Sequence, residues 1–351
     1  MTEIRLHRIL IFNPSFIGDS ILTTPLVNAL SKIYPGAKIY FCVRPESADL
    51  FKCLENVQEV ITFDKRGDYK GLTGLWKFAC KLREYNFDMI LTAHKSFRSL
   101  LTLKLSGCKN IIGFKQSSLS FLLDKKSDRN MKLHEVERNL SLLSKIWDEF
   151  TLEKAKKLGS SPRVCEDSEY EKKVSTFLNT FRKESKKIVG IAPASVWNTK
   201  MWPVENYATI IEKMYFKGVY SLVISSPREY GVIEDLKEEC CVPFMDFAGK
   251  TSLTELASII DNLDLLICND SAPMHIAAAL ETPLVALFGP TTESLGFFPY
   301  GRGQREVVEI KDLYCRPCAL HGGRRCPEKH FRCMRDIKPE NVMAVAEELL
   351  T

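Results

Sequence analysis

The chain alternates between short apolar runs and longer stretches in which apolar residues recur with helical spacing. Short apolar runs bounded by polar turns are typical of buried strands, and the longer stretches predict amphipathic helices. Strands separated by helices in this way favour parallel sheets with right-handed crossovers, so we predict an α/β fold. The predicted strands are 8–13, 38–43, 59–63, 88–92 and 110–113 in the first half, and 188–192, 219–225, 243–247, 263–268 and 283–288 in the second. The main predicted helices are 19–34, 46–54, 71–85, 97–106, 133–150 and 205–217.

The alternation stops between residues 151 and 187, where Glu, Lys and Ser dominate. Such a change of composition marks a candidate boundary between two domains. A second polar stretch, 115–133, is predicted as an irregular loop. The predicted organisation is a first domain over 1–165, a linker over 166–187 with one helix near 167–183, a second domain over 188–338 and a C-terminal helix over 339–351.

The segment from Asn269 to His275 joins a predicted strand to a predicted helix. Ser271 is a suitable N-cap, and Pro273 fits the first helical turn. The free backbone N–H groups of that turn, with the positive end of the helix dipole, form a candidate phosphate site at the carboxyl edge of a sheet. Asp270 flanks this position together with the histidine. The alternative is an ordinary strand-to-helix turn with a capping serine and an incidental histidine.

Two further turns of this kind carry candidate functional residues. Residues 14–20 follow the first predicted strand and contain Gly18, which lets a ligand approach closely, and Asp19, which lies at the edge where open α/β sheets bind ligands. The alternative is that Asp19 only caps the helix. Residues 193–203 place Lys200 between two tryptophans, where its charge could meet a phosphate; the alternative is a solvated loop lysine.

Composition narrows the class of protein. The chain has 351 residues, 45% of them hydrophobic and 26% charged, with a formal net charge of +5. This charge gives no case for nucleic-acid binding, and no aromatic-basic motif accompanies it. No apolar run reaches the length of a membrane-spanning helix, and the N-terminus lacks a signal-peptide pattern, so we predict a cytoplasmic protein.

Cationic residues are concentrated in the N-terminal half of the chain. A solvated surface explains this concentration, and so does contact with an anionic acceptor or with an anionic membrane face. The residues are Lys95, Arg98, Lys104, Lys109, Lys115, Lys125, Lys126, Arg129 and Lys132.

Four of the twelve cysteines form a cluster with the pattern C-x2-C-x7-C-x6-C: Cys315, Cys318, Cys326 and Cys333. In a reducing compartment such a cluster indicates metal binding rather than disulfides, and four thiolates suit structural zinc or iron. Free thiols are the alternative. The other eight cysteines are scattered, mostly in apolar contexts, and are interpreted as small buried hydrophobic residues.

Three segments in this order resemble glycosyltransferase family 9, the heptosyltransferases of lipopolysaccharide inner-core synthesis, across nearly the whole chain. One departure is Ala272, where the family usually has glycine, and its methyl group narrows the space beside the phosphates. The matching residues are Ser15–Asp19 with Thr23-Thr24-Pro25, Thr199–Pro203, and Asn269–His275 with Phe288–Thr291.

The resemblance implies a GT-B fold, in which two Rossmann-like parallel-sheet domains face a central cleft. It also implies that the C-terminal helix packs back on the first domain. An ADP-heptose donor would bind the second domain, and an anionic lipopolysaccharide-core acceptor the first, with peripheral contact to the inner membrane. Asp19 would be the general base of an inverting displacement, and Lys200 would hold the diphosphate without a metal cofactor. The donor-binding residues would be Ser195, Val196, Glu229, Thr251, Asp270, Ser271, Ala272 and His275, and the acceptor-side residues Gly18 and Thr24.

Other functions remain open at this point. The acceptor could be a protein hydroxyl, because some family members that modify proteins carry a cysteine-bound iron in this region. A GT-B transferase or epimerase using another nucleotide sugar is a further alternative. A dinucleotide oxidoreductase is disfavoured because G-x-G-x-x-G does not follow the first strand. A non-catalytic nucleotide-binding module would not need the carboxylate of Asp19.

Overall fold

The computed structural model describes residues 7–182 and 187–351. Contacts between residues divide the chain into two units, Met1–Cys165 and Glu166–Thr351. Within the described residues, no helix is both long and apolar enough to cross a membrane.

The first unit is built on one parallel sheet with the strand order β3-β2-β1-β4-β5-β6 in its described part. Its strands are β1 (Arg8–Phe12), β2 (Lys38–Val43), β3 (Glu59–Thr62), β4 (Met89–Thr92), β5 (Ile111–Phe114) and β6 (Lys125–Ser127). Its helices are α1 (Ile17–Ile21), α2 (Thr24–Ile33), α3 (Gly71–Glu84), α4 (Phe97–Leu105), α5 (Glu135–Leu140) and α6 (Leu152–Gly159), with 3-10 segments at Pro45–Phe51, Ser120–Leu122 and Ser141–Lys145.

The second unit repeats this plan with the strand order β12-β11-β10-β7-β8-β9 among its described residues, again all parallel. Its strands are β7 (Ile188–Ala192), β8 (Tyr220–Val223), β9 (Met245–Asp246), β10 (Leu265–Asn269), β11 (Leu284–Phe288) and β12 (Arg305–Glu309). Its helices are α7 (Ser168–Arg182), α8 (Val204–Phe216), α9 (Tyr230–Glu239), α10 (Leu253–Asp261), α11 (Ala272–Leu280), α12 (Arg332–Arg335) and α13 (Pro339–Leu350), with 3-10 segments at Asn198–Lys200, Pro227–Glu229 and Glu293–Leu295.

Both sheets therefore reverse their strand order at one point, between β1 and β4 in the first unit and between β7 and β10 in the second. In doubly wound sheets, ligands bind outside the carboxyl ends of the strands at this switch point. The central strands β4, β7, β10 and β11 are buried along their whole length, as expected for strands covered on both faces. The prediction of an α/β protein with two Rossmann-like parallel sheets is confirmed.

The edges of the sheets depart from the sequence prediction. The stretch 115–133 contains the edge strand β6, and the second sheet ends in β12; neither strand was predicted. Both carry charged residues and are only partly buried, so they lack the apolar run that identifies a buried strand. The predicted helix 46–54 is instead a 3-10 segment, and the predicted helix 19–34 is interrupted after α1.

The segment predicted as a linker, 166–187, contains a helix close to the one predicted near 167–183. Its residues 183–186 lie outside the described part of the chain, and the rest contains α7, which packs on α10. The C-terminal helix α13 packs on α8 and on β10 to β12, and Val342 and Ala346 are buried in the second core. The expectation that this helix packs on the first domain stays a prediction.

One disulfide corrects the interpretation of the scattered cysteines. Cys53 and Cys165 are bonded to each other within the first unit, so they are not free thiols, and Cys53 is exposed. Cys42, Cys108 and Cys268 are free and buried, as the sequence predicted.

Candidate active site

The loops after β7 and β10 meet at the switch point of the second sheet, and Asn269 joins them. Its side-chain oxygen accepts hydrogen bonds from the backbone N–H of Trp202 (3.1 Å) and the hydroxyl of Tyr207 (3.0 Å). Its amide nitrogen donates to the carbonyl of Pro193 at 2.8 Å. Asn269 is completely buried, so every one of these bonds replaces lost water contacts. The sequence motif contains this residue, but its role in fixing the loops was not predicted.

Lys200 is brought to the same point. Its Nζ donates to the carboxylate of Asp270 at 2.5 Å, and the hydroxyl of Thr291 donates to the same oxygen at 2.7 Å. The side chains of Lys200 and Asp270 are both about nine-tenths buried (11% and 7% exposed). The alternative interpretation of a solvated loop lysine is therefore wrong, and the cation is held in a fixed position.

His275 lies next to this ion pair. Burial lowers the pKa of His275 to about 4, with Asp270 acting to raise it and Lys200 to lower it further. The imidazole is therefore neutral near pH 7. Its Nδ1 is buried and has no hydrogen-bond partner among the described residues.

The N-terminus of α11 is open. Ser271 occupies the N-cap position, but its hydroxyl donates back to the carbonyl of Asn269 at 3.3 Å and makes no capping bond. This differs from the predicted capping role. Within the described part of the chain, the N-cap side chain therefore accepts no bond from the N–H groups of the first turn, which begins at Ala272, and such groups bind anions well.

Ser195 and Val196 follow β7 at this edge. The hydroxyl of Ser195 accepts a weak hydrogen bond from the N–H of Trp197 (3.3 Å), and Val196 is 72% exposed. The structure thus places both residues on the loop that carries Lys200, with an apolar side chain available for contact.

Glu229 and Thr251 lie on two neighbouring loops, after β8 and β9. These loops pack together at Gly249, whose positive φ of +67° and close approach to Pro227 favour glycine. The carboxylate of Glu229 accepts from the N–H of Ser226 at 3.0 Å, which makes it a helix-capping group. Its predicted contact with a donor remains a prediction, as does that of Thr251.

Asp19 lies in α1, after the carboxyl end of β1 and at the switch point of the first sheet. Its side chain is half-buried. Burial, followed by the charge of Glu135, raises the pKa of Asp19 to about 7, while a hydrogen bond with the Phe16 backbone and the charges of Arg129 and Arg44 lower it. A carboxyl group with this pKa can exchange a proton near neutral pH, which a simple helix cap does not require.

A buried polar network holds the backbone of Asp19. The hydroxyl of Thr23 donates to the Asp19 carbonyl at 2.8 Å, and the side chain of Asn13 donates to Thr23 at 2.7 Å. Asn139 of α5 donates to the same hydroxyl at 3.3 Å and to the carbonyl of Leu22 at 3.2 Å. The network links the turn after β1 to Asn139, which is more than 100 positions away, and the sequence did not reveal this link.

Cations surround the same edge of the first sheet. Arg129 and Arg138 both donate to the carboxylate of Glu135, and all three side chains are buried. Burial lowers the pKa of Lys95, and among the neighbouring charges that act on it are Arg129 and Asp19. This arrangement gives an anionic ligand a cationic environment beside Asp19.

A second cationic group lies on the other side of β1. The Nζ of Lys65 is 3.4 Å from Nε2 of His94, and burial together with the charge of Arg44 lowers the pKa of Lys65 to about 8. Burial also lowers the pKa of His94 to about 3, so this imidazole is neutral. Sequence reasoning missed Arg44, Lys65 and His94. Their only signal was that each closely follows a predicted strand.

The two acceptor-side residues are not equivalent. Gly18 lies in the first turn of α1, directly before Asp19. Thr24, by contrast, is completely buried; its hydroxyl donates to the Ile21 carbonyl and accepts from the N–H of Arg163 at 2.9 Å. Its hydroxyl thus helps to fix the chain around α2, and its predicted contact with an acceptor stays a prediction.

The four clustered cysteines are neighbours. Burial raises the pKa of Cys318, and the charges of Cys315 and Cys326 raise it further. Burial, followed by the charges of those three thiols, also raises the pKa of Cys333 to about 11, while Arg316 lowers it. Within the described part of the chain, however, no three His, Cys, Asp or Glu side chains are arranged as metal ligands. The predicted zinc or iron site thus lacks an assembled ligand set among these residues.

The cysteine-containing segment packs on the loop of Lys200. The N–H and the hydroxyl of Thr199 both donate to the carbonyl of Gly323 at 3.0 Å, and the N–H of Gly323 donates to that hydroxyl at 2.7 Å. A Cβ added at Gly322 would lie 2.6 Å from Cβ of Trp197 and 2.9 Å from Cγ of Lys200. The segment 315–333 therefore supports the position of the lysine.

Comparisons with known proteins agree with this geometry. A family model described as glycosyltransferase family 9 (heptosyltransferase) matches residues 75–329. The lipooligosaccharide heptosyltransferase 2 of Campylobacter jejuni is 26% identical, with 98% of each chain covered. A family 9 glycosyltransferase from Veillonella parvula has the same fold, with a TM-score of 0.84 at 21% identity over 99% of this chain and 98% of that one. The ADP-heptose lps heptosyltransferase II of E. coli gives a TM-score of 0.78 at 22% identity over 98% of each chain. The matched family model spans well over half of the sequence, so this protein is a glycosyltransferase and belongs to glycosyltransferase family 9 (heptosyltransferase).

Proposed function

We propose that this enzyme transfers a heptose from ADP-heptose to the inner core of lipopolysaccharide, with inversion and with Asp19 as the general base. The observation that carries the proposal is the carboxyl group of Asp19, which lies at the switch point of the first sheet with a pKa of about 7. The names of the relatives support the donor and acceptor classes, since they include a lipooligosaccharide heptosyltransferase and an ADP-heptose enzyme.

The proposal assigns the donor diphosphate to the second unit. The open N-terminus of α11 and the Nζ of Lys200 supply positive charge, and His275 supplies a neutral hydrogen-bonding nitrogen. Because Asp270 and Thr291 hold the lysine in place, its charge needs little reorganisation when the diphosphate leaves. The proposed mechanism therefore needs no catalytic metal.

The acceptor is assigned to the first unit, where cations face the edge that carries Asp19. In the proposed step, the carboxylate of Asp19 removes the proton of an acceptor hydroxyl while that oxygen attacks the anomeric carbon of the heptose. A carbon–oxygen bond forms, and the bond to the diphosphate breaks with ADP as the leaving group. A single displacement inverts the anomeric centre without a covalent sugar–enzyme intermediate.

The test is transfer from ADP-heptose to defined truncated lipopolysaccharides, read as a mass increase of one heptose and as release of ADP. We expect Asp19→Asn to abolish transfer but keep its affinity for ADP, and the exposed Asp68→Asn in the same unit to behave as wild type. Transfer from another nucleotide sugar, or onto a protein hydroxyl instead of the core sugars, would replace this proposal with the corresponding alternative.

A further inference from the structure

Six large apolar side chains in the described part of the first unit are exposed. Phe16 lies before α1 and Met131 after β6, and the other four are Leu72 (74% exposed), Trp76 (50%), Phe97 (49%) and Phe121 (72%). We call these four residues the apolar rim. Isolated exposed apolar residues are common on soluble proteins, so the rim is informative only if its members lie together and share a chemical environment.

The members of the rim do lie on neighbouring elements. Leu72 and Trp76 are one turn apart at the start of α3, and Phe97 is the first residue of α4. Helices α3 and α4 pack side by side, and the 3-10 segment with Phe121 packs on α4.

The rim also lies at a defined edge of the sheet. Helices α3 and α4 follow β3 and β4 along the chain, and a helix in a parallel α/β sheet begins where the preceding strand ends. The first turns of both helices are therefore at the carboxyl edge of the first sheet. This is the edge that carries Asp19 and the cationic groups beside it.

The segments that carry the rim are strongly cationic. Residues 66–77, 95–98 and 115–126 contain eight Lys or Arg against two Asp, a formal charge of +6, whereas the whole chain carries +5. The net positive charge of the protein thus resides in these 28 residues. Two of these eight side chains have a polar partner: Lys115 forms an ion pair with Asp128, and Nζ of Lys125 donates a hydrogen bond to the carbonyl of Lys145. The other six have no carboxylate partner among the described residues.

We propose that the apolar rim and its surrounding cations form a docking surface for an anionic lipid bilayer. Exposed aromatic and aliphatic side chains enter the interface between headgroups and acyl chains, and the surrounding lysines and arginines bind anionic headgroups. The charge complementarity favours a membrane over a second copy of this chain, because two such cationic surfaces repel each other. The inference deepens the proposed function and rests on it, since an acceptor anchored in lipid would then be presented at the edge that carries Asp19.

The experiment is sedimentation of the full-length protein with vesicles of phosphatidylglycerol and phosphatidylcholine in equal parts, and with vesicles of phosphatidylcholine alone. We expect binding to the anionic vesicles only, weakened by salt. The double variant Leu72→Ser/Trp76→Ser should lower the partition coefficient by about tenfold or more, since two large apolar side chains no longer insert. The matched control is Phe216→Ser, because Phe216 is 80% exposed but lies at the end of α8 in the second unit.

Each other outcome overturns the inference. Equal loss of binding in the two variants, or no binding of the wild-type protein, would exclude docking through the rim. A wild-type dimer that becomes a monomer in the double variant, measured by analytical ultracentrifugation, would make the rim an interface between copies. Thermal unfolding of the double variant confirms that it is folded.

Transfer to a lipid-free core oligosaccharide separates this inference from the proposed function. The double variant should keep this activity and lose activity only toward acceptor in vesicles. Wild-type protein that binds vesicles but transfers heptose to neither acceptor would contradict the proposed function and not the docking surface.

Discussion

The pKa of Asp19 gives a quantitative prediction for the pH dependence of the reaction. With a pKa of about 7, roughly one tenth of the carboxyl groups are ionised at pH 6 and about nine tenths at pH 8, so the kcat/KM for the acceptor should rise about tenfold over this range. An aspartate with the ordinary pKa of about 4 would be ionised throughout, and the rate would be flat. The assay is the initial rate of ADP release at low acceptor concentration, measured across this range in buffers of constant ionic strength.

A second variant tests the cause of the shift. After burial, the charge of Glu135 is the main reason why the pKa of Asp19 is raised. Glu135→Gln should therefore move the acidic limb of the profile to lower pH, whereas Glu149→Gln, an exposed glutamate of the same unit, should leave it in place. A limb that does not move, or a flat profile in the wild-type enzyme, would refute the assignment of Asp19 as the titrating base.

The raised pKa of Asp19 also predicts that ionisation of its carboxyl group, which activity requires, lowers the stability of the fold. Because the pKa of Asp19 is higher in the folded than in the unfolded protein, the folded state favours the protonated carboxyl group, and stability falls as pH rises from about 4 through about 7. Asp19→Asn removes this penalty. Its Tm should exceed that of the wild type at pH 8, with a smaller difference at pH 5, even though the variant is inactive.

Three further variants test the remaining parts of the site. Lys200→Met should lower turnover more than ADP affinity, and should also lower Tm because Asp270 is left buried and unpaired; adding Asp270→Asn should restore Tm but not turnover. Gly322→Ala should reduce turnover several-fold, because its Cβ would lie 2.9 Å from Cγ of Lys200. Gly323→Ala, whose nearest contact is at 3.6 Å, should leave turnover unchanged. If the structural metal predicted from the cysteines is present, elemental analysis should find close to one zinc or iron per chain, and Cys318→Ser should have a lower Tm than the wild type. Metal-free protein with full stability would show that the four cysteines are ordinary free thiols.

The parts of the fold that the sequence predicts are those in which burial leaves a clear pattern. Ten of the strands were predicted from their apolar residues, and the predicted ends lie within about two residues of the observed ends. The edge strands β6 and β12 were missed because an edge strand is stabilised by pairing with its neighbour, which leaves no periodic pattern of apolar residues. The break after α1 was missed because it depends on bonds from Asn13 and Asn139, which come from other elements.

The residues of the candidate site were likewise predicted only in part from the sequence. Asp19, Lys200 and Asp270 were found because each closely follows a predicted strand, and strand ends share one edge of a parallel sheet. Their partners could not be found in this way. The pairing of Lys200 with Asp270 joins residues 70 positions apart, and it exists because β7 and β10 are neighbours at the switch point. The bond from the N–H of Arg163 to the hydroxyl of Thr24 could not be predicted either, because it joins residues 139 positions apart.

The two switch points show why the paired charges suit their proposed roles. At the first, the carboxyl group of Asp19 is half-buried beside Glu135, which favours the neutral acid, and beside Arg129, which favours the anion. The balance leaves its pKa near neutrality, where a base is strong enough to remove a proton and yet is substantially ionised. At the second, Lys200 is already paired with Asp270, so its charge does not bind a diphosphate as an isolated cation would. Negative charge on the leaving group would increase during the proposed reaction, and a lysine already held in place would attract that charge more strongly as it develops, without having to move. The stabilisation is then greater in the transition state than in the bound donor, and this difference is what raises turnover.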